Sequence, residues 1–452
     1  MASFLRRLGG RSGRRVAVIG VDGVPYSYAA GEIAAGRLPG LGRLAREGSL
    51  ARMTSVYPWV SSVAWTSCAT GCNPAKHNMF GFVDRDPATY RTFIPTARDI
   101  RRPMLWDLLS RAGKQVVVIN VPVTYPPQPV NGVLIADFLS PSLDKAVYPP
   151  SLLPTLERLD YRVDVDPWIA YESLDRMMSE IEMVLERRLA AIEHFLKSAR
   201  WDFFMAVIME TDRLHHFFWS RMEERHPVYA PFFERVYRRV DEAIAGFARA
   251  LDDDTTLVVM SDHGFCSIEQ EVFYNHWLHE RGWLKYANSG PKELRDIADS
   301  SLAYSLDPGR IFIRVRGRER NGVVAPGAEY EALRDEIAAA AEELRDPGTG
   351  ARVVRKAYRR EELYAGPYLE SAADLILAPV DGYDPKGALH KASLTHKDPV
   401  MVGMHTHDDA TLCVRGHQLA GPTPSIVDVA PTVLRLMGVP VRAEMDGTAL
   451  VK

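Results

Sequence analysis

Residues 16–22 read VAVIGVD, an apolar run closed by a carboxylate. Two later stretches share that construction. FFMAVIME (203–210) has Asp212 and His216 just beyond it, and TTLVVMSDH (255–263) ends on Asp262 and His263. A further apolar run, KQVVVINV, covers 114–121. Runs this rich in β-branched residues, without polar alternation, are buried on both faces and read as central strands of a parallel sheet. Open α/β sheets gather their ligands at the carboxyl ends of such strands. A last cluster, His405, His407, Asp408 and Asp409, precedes TLCV (411–414). Carboxylates and imidazoles brought together repel one another or stay unpaired unless they share a cation. The pattern predicts a metallohydrolase site.

Between the strands lie amphipathic stretches with 3–4 spacing: LWDLLSRAG (105–113), SLDRMMSEIEMVLERRLAAIEHFLKSA (173–199) and PFFERVYRRVDEAIAGFARAL (231–251). Strands alternating with helices predict an α/β fold with a doubly wound, mostly parallel sheet. The Pro-rich segment 122–150 reads as irregular surface or lid. From 266 to 400 the texture changes to short strands (RIFIRV, 310–315; ADLILAP, 373–379), one helix (329–344) and many Gly, Pro and charged turns. The expected division is a flexible basic tail (1–15), the first part of the core (16–265), an inserted cap subdomain with some core strands (266–400), and the last part of the core (401–452), whose terminal helix falls in 425–438.

The 452 residues carry 46% hydrophobic and 25% charged side chains and a net charge of −3. That balance suits a soluble enzyme with a large core. It implies no field for a nucleic-acid polymer or a membrane surface. No run approaches the roughly 18 apolar residues of a membrane span. The start, MASFLRRLGGRSGRR, reads as a solvated tail, because VAVIGVD is too short for a signal h-region. Four cysteines make no disulfide framework in a chain of this length, so a cytoplasmic setting is expected. Cys68 and Cys72 read as small hydrophobes packing a helix. Nothing in the sequence fixes the oligomeric state.

Asp212 and His216 stand four apart and share one face of a helix. His215 points elsewhere and reads as a surface or supporting histidine. Asp262 and His263, adjacent at a strand end, can splay onto two neighbouring metals. In YPWVSSVAWTSCATGCNPAKH (57–77) a loop with two serines runs into a helix N-terminus, where the dipole and free N–H groups favour an anion. A metal there lowers a serine hydroxyl's pKa enough to make it a nucleophile. Otherwise Ser61 and Ser62 serve as helix caps.

Four blocks in order, VIGVDG, the 57–77 block, TDxxxH with SDHG, and GMHTHDD before a strand, resemble the alkaline phosphatase superfamily. The closer resemblance is to its type I phosphodiesterase/nucleotide pyrophosphatase-like branch. It implies a doubly wound sheet with two zinc ions flanking a Ser or Thr nucleophile. Asp212, His216 and His405 would hold one ion. Asp22, Asp262 and His263 would hold the other, with the nucleophile oxygen as a further ligand. The family's spacing to the Thr of its TG pair, here Thr70, selects Ser61. Its Gly-x-His arrangement matches Gly403-Met404-His405, with His407 as the competitor.

One departure concerns the Asn that contacts a phosphoryl oxygen in nucleotide pyrophosphatases. Phe82 stands at its place, leaving Asn78 or Arg85 as substrate-binding candidates. CNPAK (72–76) imitates a sulfatase signature but follows the TG pair and ends in Lys76.

The expectation is a metal-dependent phosphodiesterase acting on a small phosphate ester through a phosphoseryl intermediate. Zinc is the first choice of metal, with manganese or iron also fitting the ligands. Alternatives are a phosphomonoesterase, sulfatase or phosphonate hydrolase, a phosphoryl transferase or mutase, and a scaffold that only binds metal or glycan. Of the aromatics near these motifs, Tyr57, Trp59, Phe217 and Phe218 are expected to shape the leaving-group pocket, and Trp65 and Trp219 to pack the core.

Overall fold

The computed structural model describes residues 14–451; most of the expected basic tail lies outside the described residues. The main sheet has eight strands: Arg15–Val21 (β1), Gly48–Met53 (β2), Val116–Ile119 (β3), Gly132–Ile135 (β4), Val147–Tyr148 (β5), Phe203–Ile208 (β6), Thr255–Met260 (β7) and Ala410–Arg415 (β8). Their spatial order is β2-β8-β7-β1-β6-β3-β4-β5. From β1 the sheet grows both ways, toward β6, β3 and β4 and toward β7, β8 and β2, the doubly wound topology. The central strands β4, β3, β6, β1 and β7 run parallel, while β5 and β8 oppose their neighbours. β1, β3, β6 and β7 are buried almost throughout, as unalternated apolar runs require.

Register places the site. Val21 lies opposite Ile208 and Gly20 opposite Met260, so β1, β6 and β7 end at one level. Asp22, the first turn of the helix Glu210–Glu223, and Asp262-His263 therefore emerge along a single edge. Outside the main sheet, Gly264–Ser267 pairs antiparallel with Gly403–Thr406, setting Phe265 opposite His405. That ladder draws together the two ends of the long segment between them and returns His405 to the edge where His263 sits.

The intervening segment has its own antiparallel sheet, ordered Ala303–Leu306, Arg310–Ile313, Leu375–Pro379, Val354–Arg359, and the helix Ala328–Glu342. Its hydrophobic core, with Tyr304, Phe312, Ile337 and Leu375 at the centre, also recruits Ala75, Phe80 and Tyr90 from upstream. Among the described residues no helix is long and apolar enough to cross a membrane.

Segment 122–150 departs from the sequence reading. It contains β4 and β5 rather than irregular surface alone. GVLI is only four residues long and is preceded by Pro126, Pro127 and Pro129. Pairing with β3, Val116 opposite Gly132, makes it a strand. Such short strands owe their conformation to their neighbours rather than to local propensity.

Candidate metal centre

The helix Ser61–Thr70 (α1) starts on Ser61, directly after the extended residue Val60. Ser61 is buried, with Oγ 3.2 Å from His263 Nε2 and 3.4 Å from Asp22 Oδ1. One turn on, Trp65 Nε1 donates to Asp22 Oδ2 at 2.7 Å. Trp65 is wholly buried, as expected of a core residue, and it also fixes this carboxylate. Gly20 makes room for it: a Cβ there would lie 2.5 Å from Trp65 Cη2. The Gly within an otherwise apolar strand run was the available signal of such a close approach.

His263 Nε2 is also 3.2 Å from Asp262 Oδ2 and 3.7 Å from Asp22 Oδ1. The other Asp262 oxygen accepts the Gly23 N–H at 3.2 Å. Beside this group, Asp212 Oδ1 lies 3.4 Å from His216 Nε2 and 3.2 Å from His405 Nε2, and the two Nε2 atoms are 3.1 Å apart. Asp212, His216 and His405 form one set of atoms close enough to hold an ion, and Asp22, Asp212 and His263 form another. Asp212 thus faces both. All six metal-ligand candidates and Ser61 come together. His407 stays outside, stacked on Tyr57 with ring centroids 4.3 Å apart.

The histidine tautomers decide what this cluster can do. His216 Nδ1 faces Gly403 O at 2.9 Å, His263 Nδ1 faces Gly264 O at 3.1 Å, and His405 Nδ1 faces Trp59 O at 3.3 Å. A carbonyl accepts, so in each ring Nδ1 carries the hydrogen. Unless the ring is also protonated at Nε2, it presents a lone pair to the carboxylates. Burial disfavours that second proton, holding His216 down to about 4 and His263 well below the usual range. Burial, reinforced by Asp262 and Asp212, pushes Asp22 well above the usual carboxylate range, and burial lifts Asp262 to about 7. Asp262 Oδ2, buried beside His263 Nε2, receives no hydrogen bond. Lone pairs facing carboxylate oxygens in a buried site are stable once a cation sits among them, and Nδ1–H donated to a carbonyl is how ligating imidazoles are oriented. The donor set fits divalent metal ions.

Three supporting side chains escaped the sequence reading. Arg213 Nη1 donates to Asp212 Oδ2 at 3.0 Å, and its Nη2 is held by Asp164 Oδ2 at 2.5 Å. Burial works against charge on Asp212, and the Arg213 guanidinium hydrogen-bonded to it favours the charged carboxylate. Trp59 Nε1 donates to His405 O at 2.9 Å, completing a two-way clasp. An Arg beside a candidate ligand, and a Trp two residues before Ser61, were visible without their partners.

His215 is fully buried rather than superficial, with Nε2 2.7 Å from Tyr237 Oη. Burial holds its pKa down to about 3. Asn78 donates to Asp99 O at 3.4 Å. The buried Arg85 guanidinium binds Tyr304 Oη at 2.8 Å and Glu319 Oε1 at 2.7 Å and lies over the Phe312 ring. Neither Asn78 nor Arg85 hydrogen-bonds a member of the cluster, and Arg85 is engaged in the second core. Cys68 and Cys72 are buried beside Met260 and Thr70, apart from the cluster.

A doubly wound sheet carrying such a cluster beside a serine at a helix start defines a phosphohydrolase of the alkaline phosphatase superfamily. The chain belongs to the type I phosphodiesterase/nucleotide pyrophosphatase family, whose model matches residues 16–408. A search of curated proteins finds no relative by sequence. Among solved structures, phosphonoacetate hydrolase from Sinorhizobium meliloti 1021 with phosphonoformate has a TM-score of 0.62 at 16% identity, covering 92% of this chain and 94% of that one. An inactive murine ectonucleotide pyrophosphatase/phosphodiesterase 5 with AMP has a TM-score of 0.57 at 13% identity, covering 96% and 97%. The human ectonucleotide pyrophosphatase/phosphodiesterase 5 has a TM-score of 0.56 at 13% identity, with the same coverages. At these identities the likeness is one of fold.

Proposed function

We propose that the chain is a divalent-metal-dependent phosphodiesterase working through a phosphoseryl intermediate on Ser61. The observation that supports this most is the convergence of three imidazole Nε2 atoms and three carboxyl groups beside one buried hydroxyl. Asp212, His216 and His405 would hold one ion, and Asp22, Asp262 and His263 the other, with Ser61 alongside. Imidazole and carboxylate ligands suit zinc first, and manganese or iron after it. Bound there, such ions neutralise phosphoryl oxygens and favour both nucleophile and leaving group.

The chain's own contribution is placement. Val63 N–H makes a bond to Val60 O, so the amides of Ser61 and Ser62 precede the helical ladder. Both lie where a helix start attracts an anion. Ser61 Oγ attacks phosphorus in line, the O–P bond forms, and the ester's alcohol leaves on the far side. Water then cleaves the phosphoseryl ester, releasing phosphate monoester and restoring the hydroxyl. Trp65 and Arg213 keep Asp22 and Asp212 oriented throughout. The substrate is a small phosphoester, and the setting is the cytoplasm expected from cysteine usage.

Metal analysis of the purified protein, combined with nitrophenyl diester, monoester, phosphonate and sulfate substrates, tests this reading. The expected result is diester turnover that disappears on chelation and returns with metal. Turnover that survives complete metal removal would overturn it.

A further inference from the structure

A cavity of about 240 Å³ opens beside the cluster, with His216 and His405 among its lining residues. We propose that it is the leaving-group pocket and that it takes an apolar alkyl or aryl alcohol in preference to a nucleoside. This rests on the phosphodiesterase reading above and adds the class of substrate.

Position comes first. Ser61 Oγ contacts His263 and Asp22, at one end of the cluster. The cavity meets the other end, the His216–His405 pair. In-line displacement sets the departing oxygen opposite the nucleophile. With Ser61 attacking from the His263 side, the departing alcohol points toward His216 and His405, where the cavity begins.

The walls then specify chemistry. They include Trp59 and Val60 from the loop before α1, Phe82 and Val83, Leu377 from the strand Leu375–Pro379, and Met404 next to His405. These offer dispersion and area burial but few hydrogen-bonding groups. Trp59 Nε1, the one indole donor among the lining residues, is already given to His405 O. The ionisable lining residues other than the two histidines are Asp307, Asp384 and Lys386. Lys386 Nζ sits 2.5 Å from Asp384 and 3.8 Å from Glu271, so its charge is answered within the protein. A nucleoside would bury the polar edges of base and ribose against apolar walls with their hydrogen bonds to water lost, which costs affinity. A leaving group bearing further phosphates would also meet Asp307, since the charge of Asp384 is answered by Lys386. An uncharged alkyl or aryl group meets neither penalty.

The test uses the metal-loaded full chain and a series of alkylphosphonates, methyl to hexyl, as competitive inhibitors, with AMP as the nucleoside comparator. Inhibition constants are expected to fall about two- to fourfold per added methylene, and hexylphosphonate to bind more tightly than AMP. Phe82→Ala and Val83→Asp are expected to flatten that gradient. The gradient rather than its absolute level is the readout, so a partial loss of fold or of metal does not imitate it. A flat series, or tighter AMP, on an enzyme that turns over esters overturns the pocket assignment alone. If no ester is turned over with metal present, the phosphodiesterase reading falls and the pocket with it.

Discussion

The imidazole rings of His263 and His405 stack face to face, with centroids 3.7 Å apart and planes 20° apart. One follows β7. The other arrives on Gly403–Thr406, far along the chain. Two imidazolium rings at that spacing would repel, and burial keeps His263 neutral. The stack joins the halves of the cluster, because His405 reaches Asp212 and His216 while His263 reaches Asp22, Asp262 and Ser61.

Replacing His405 therefore disturbs both halves. His405→Ala is expected to weaken metal binding by at least about tenfold, in the range seen when ligands or their orienting partners are removed. His407→Ala is expected to retain full metal content, since that ring packs on Tyr57 outside the cluster. Elemental analysis of the two variants after dialysis at limiting metal separates them. The reverse pattern would move the ligand to His407.

Ser61→Ala is expected to lower kcat more than about a hundredfold while leaving metal content intact. Ser62 Oγ is buried without a hydrogen-bond partner, so Ser62→Ala removes an unsatisfied group and is expected to be neutral or mildly stabilising. An acid quench during turnover should trap phosphate on the wild type and not on Ser61→Ala. Retention of more than about a hundredth of the rate by the alanine variant contradicts the nucleophile assignment.

Arg213 acts through Asp212 and should show in metal affinity. Arg213→Ala is expected to cost about 10- to 100-fold in affinity, as outer partners of metal ligands do. Arg213→Lys keeps the charge but not the fork that spans Asp212 and Asp164, so it should recover only part of the loss. Metal titration distinguishes this from a fold defect, which thermal unfolding of the metal-free protein would reveal. Equal affinity in all three proteins would remove Arg213 from the site.

Metal affinity should rise with pH through about 7. Burial lifts Asp262 to about 7 in the metal-free protein, so below that value a proton competes for the same oxygens. The sign for folding is the opposite. A carboxyl raised in the fold contributes stability below its unfolded value near 3.8, and loses it as pH climbs through about 7. Holo and apo proteins should therefore diverge most in melting temperature above pH 7. Calorimetry in two buffers of different ionisation enthalpy measures the proton release, which should shrink from pH 6 to pH 8.

Much of this was written locally in the chain. β7 falls on TTLVVM as the apolar run requires, and Asp22, Asp262 and His263 end their strands where parallel sheets concentrate function. Asp212 and His216 needed only helical spacing. The supporting contacts were not legible, because each joins residues far apart. Trp59 meets His405 across the β ladder that returns the long segment, and Arg213 meets Asp164 on a preceding loop. Strand β4 was hidden in the same way, being four residues long and defined by its pairing with β3. Arg85 looked available for phosphate, yet its partners Tyr304 and Glu319 lie more than two hundred residues on and absorb its charge.

The most direct measurement is an anomalous difference map from crystals of the wild-type protein grown with zinc and recorded at the zinc absorption edge. Two peaks are expected, one within reach of Asp212, His216 and His405 and one within reach of Asp22, Asp262, His263 and Ser61. A map with no peak among these seven side chains, in crystals that carry zinc elsewhere, would contradict the metal centre and the chemistry built on it.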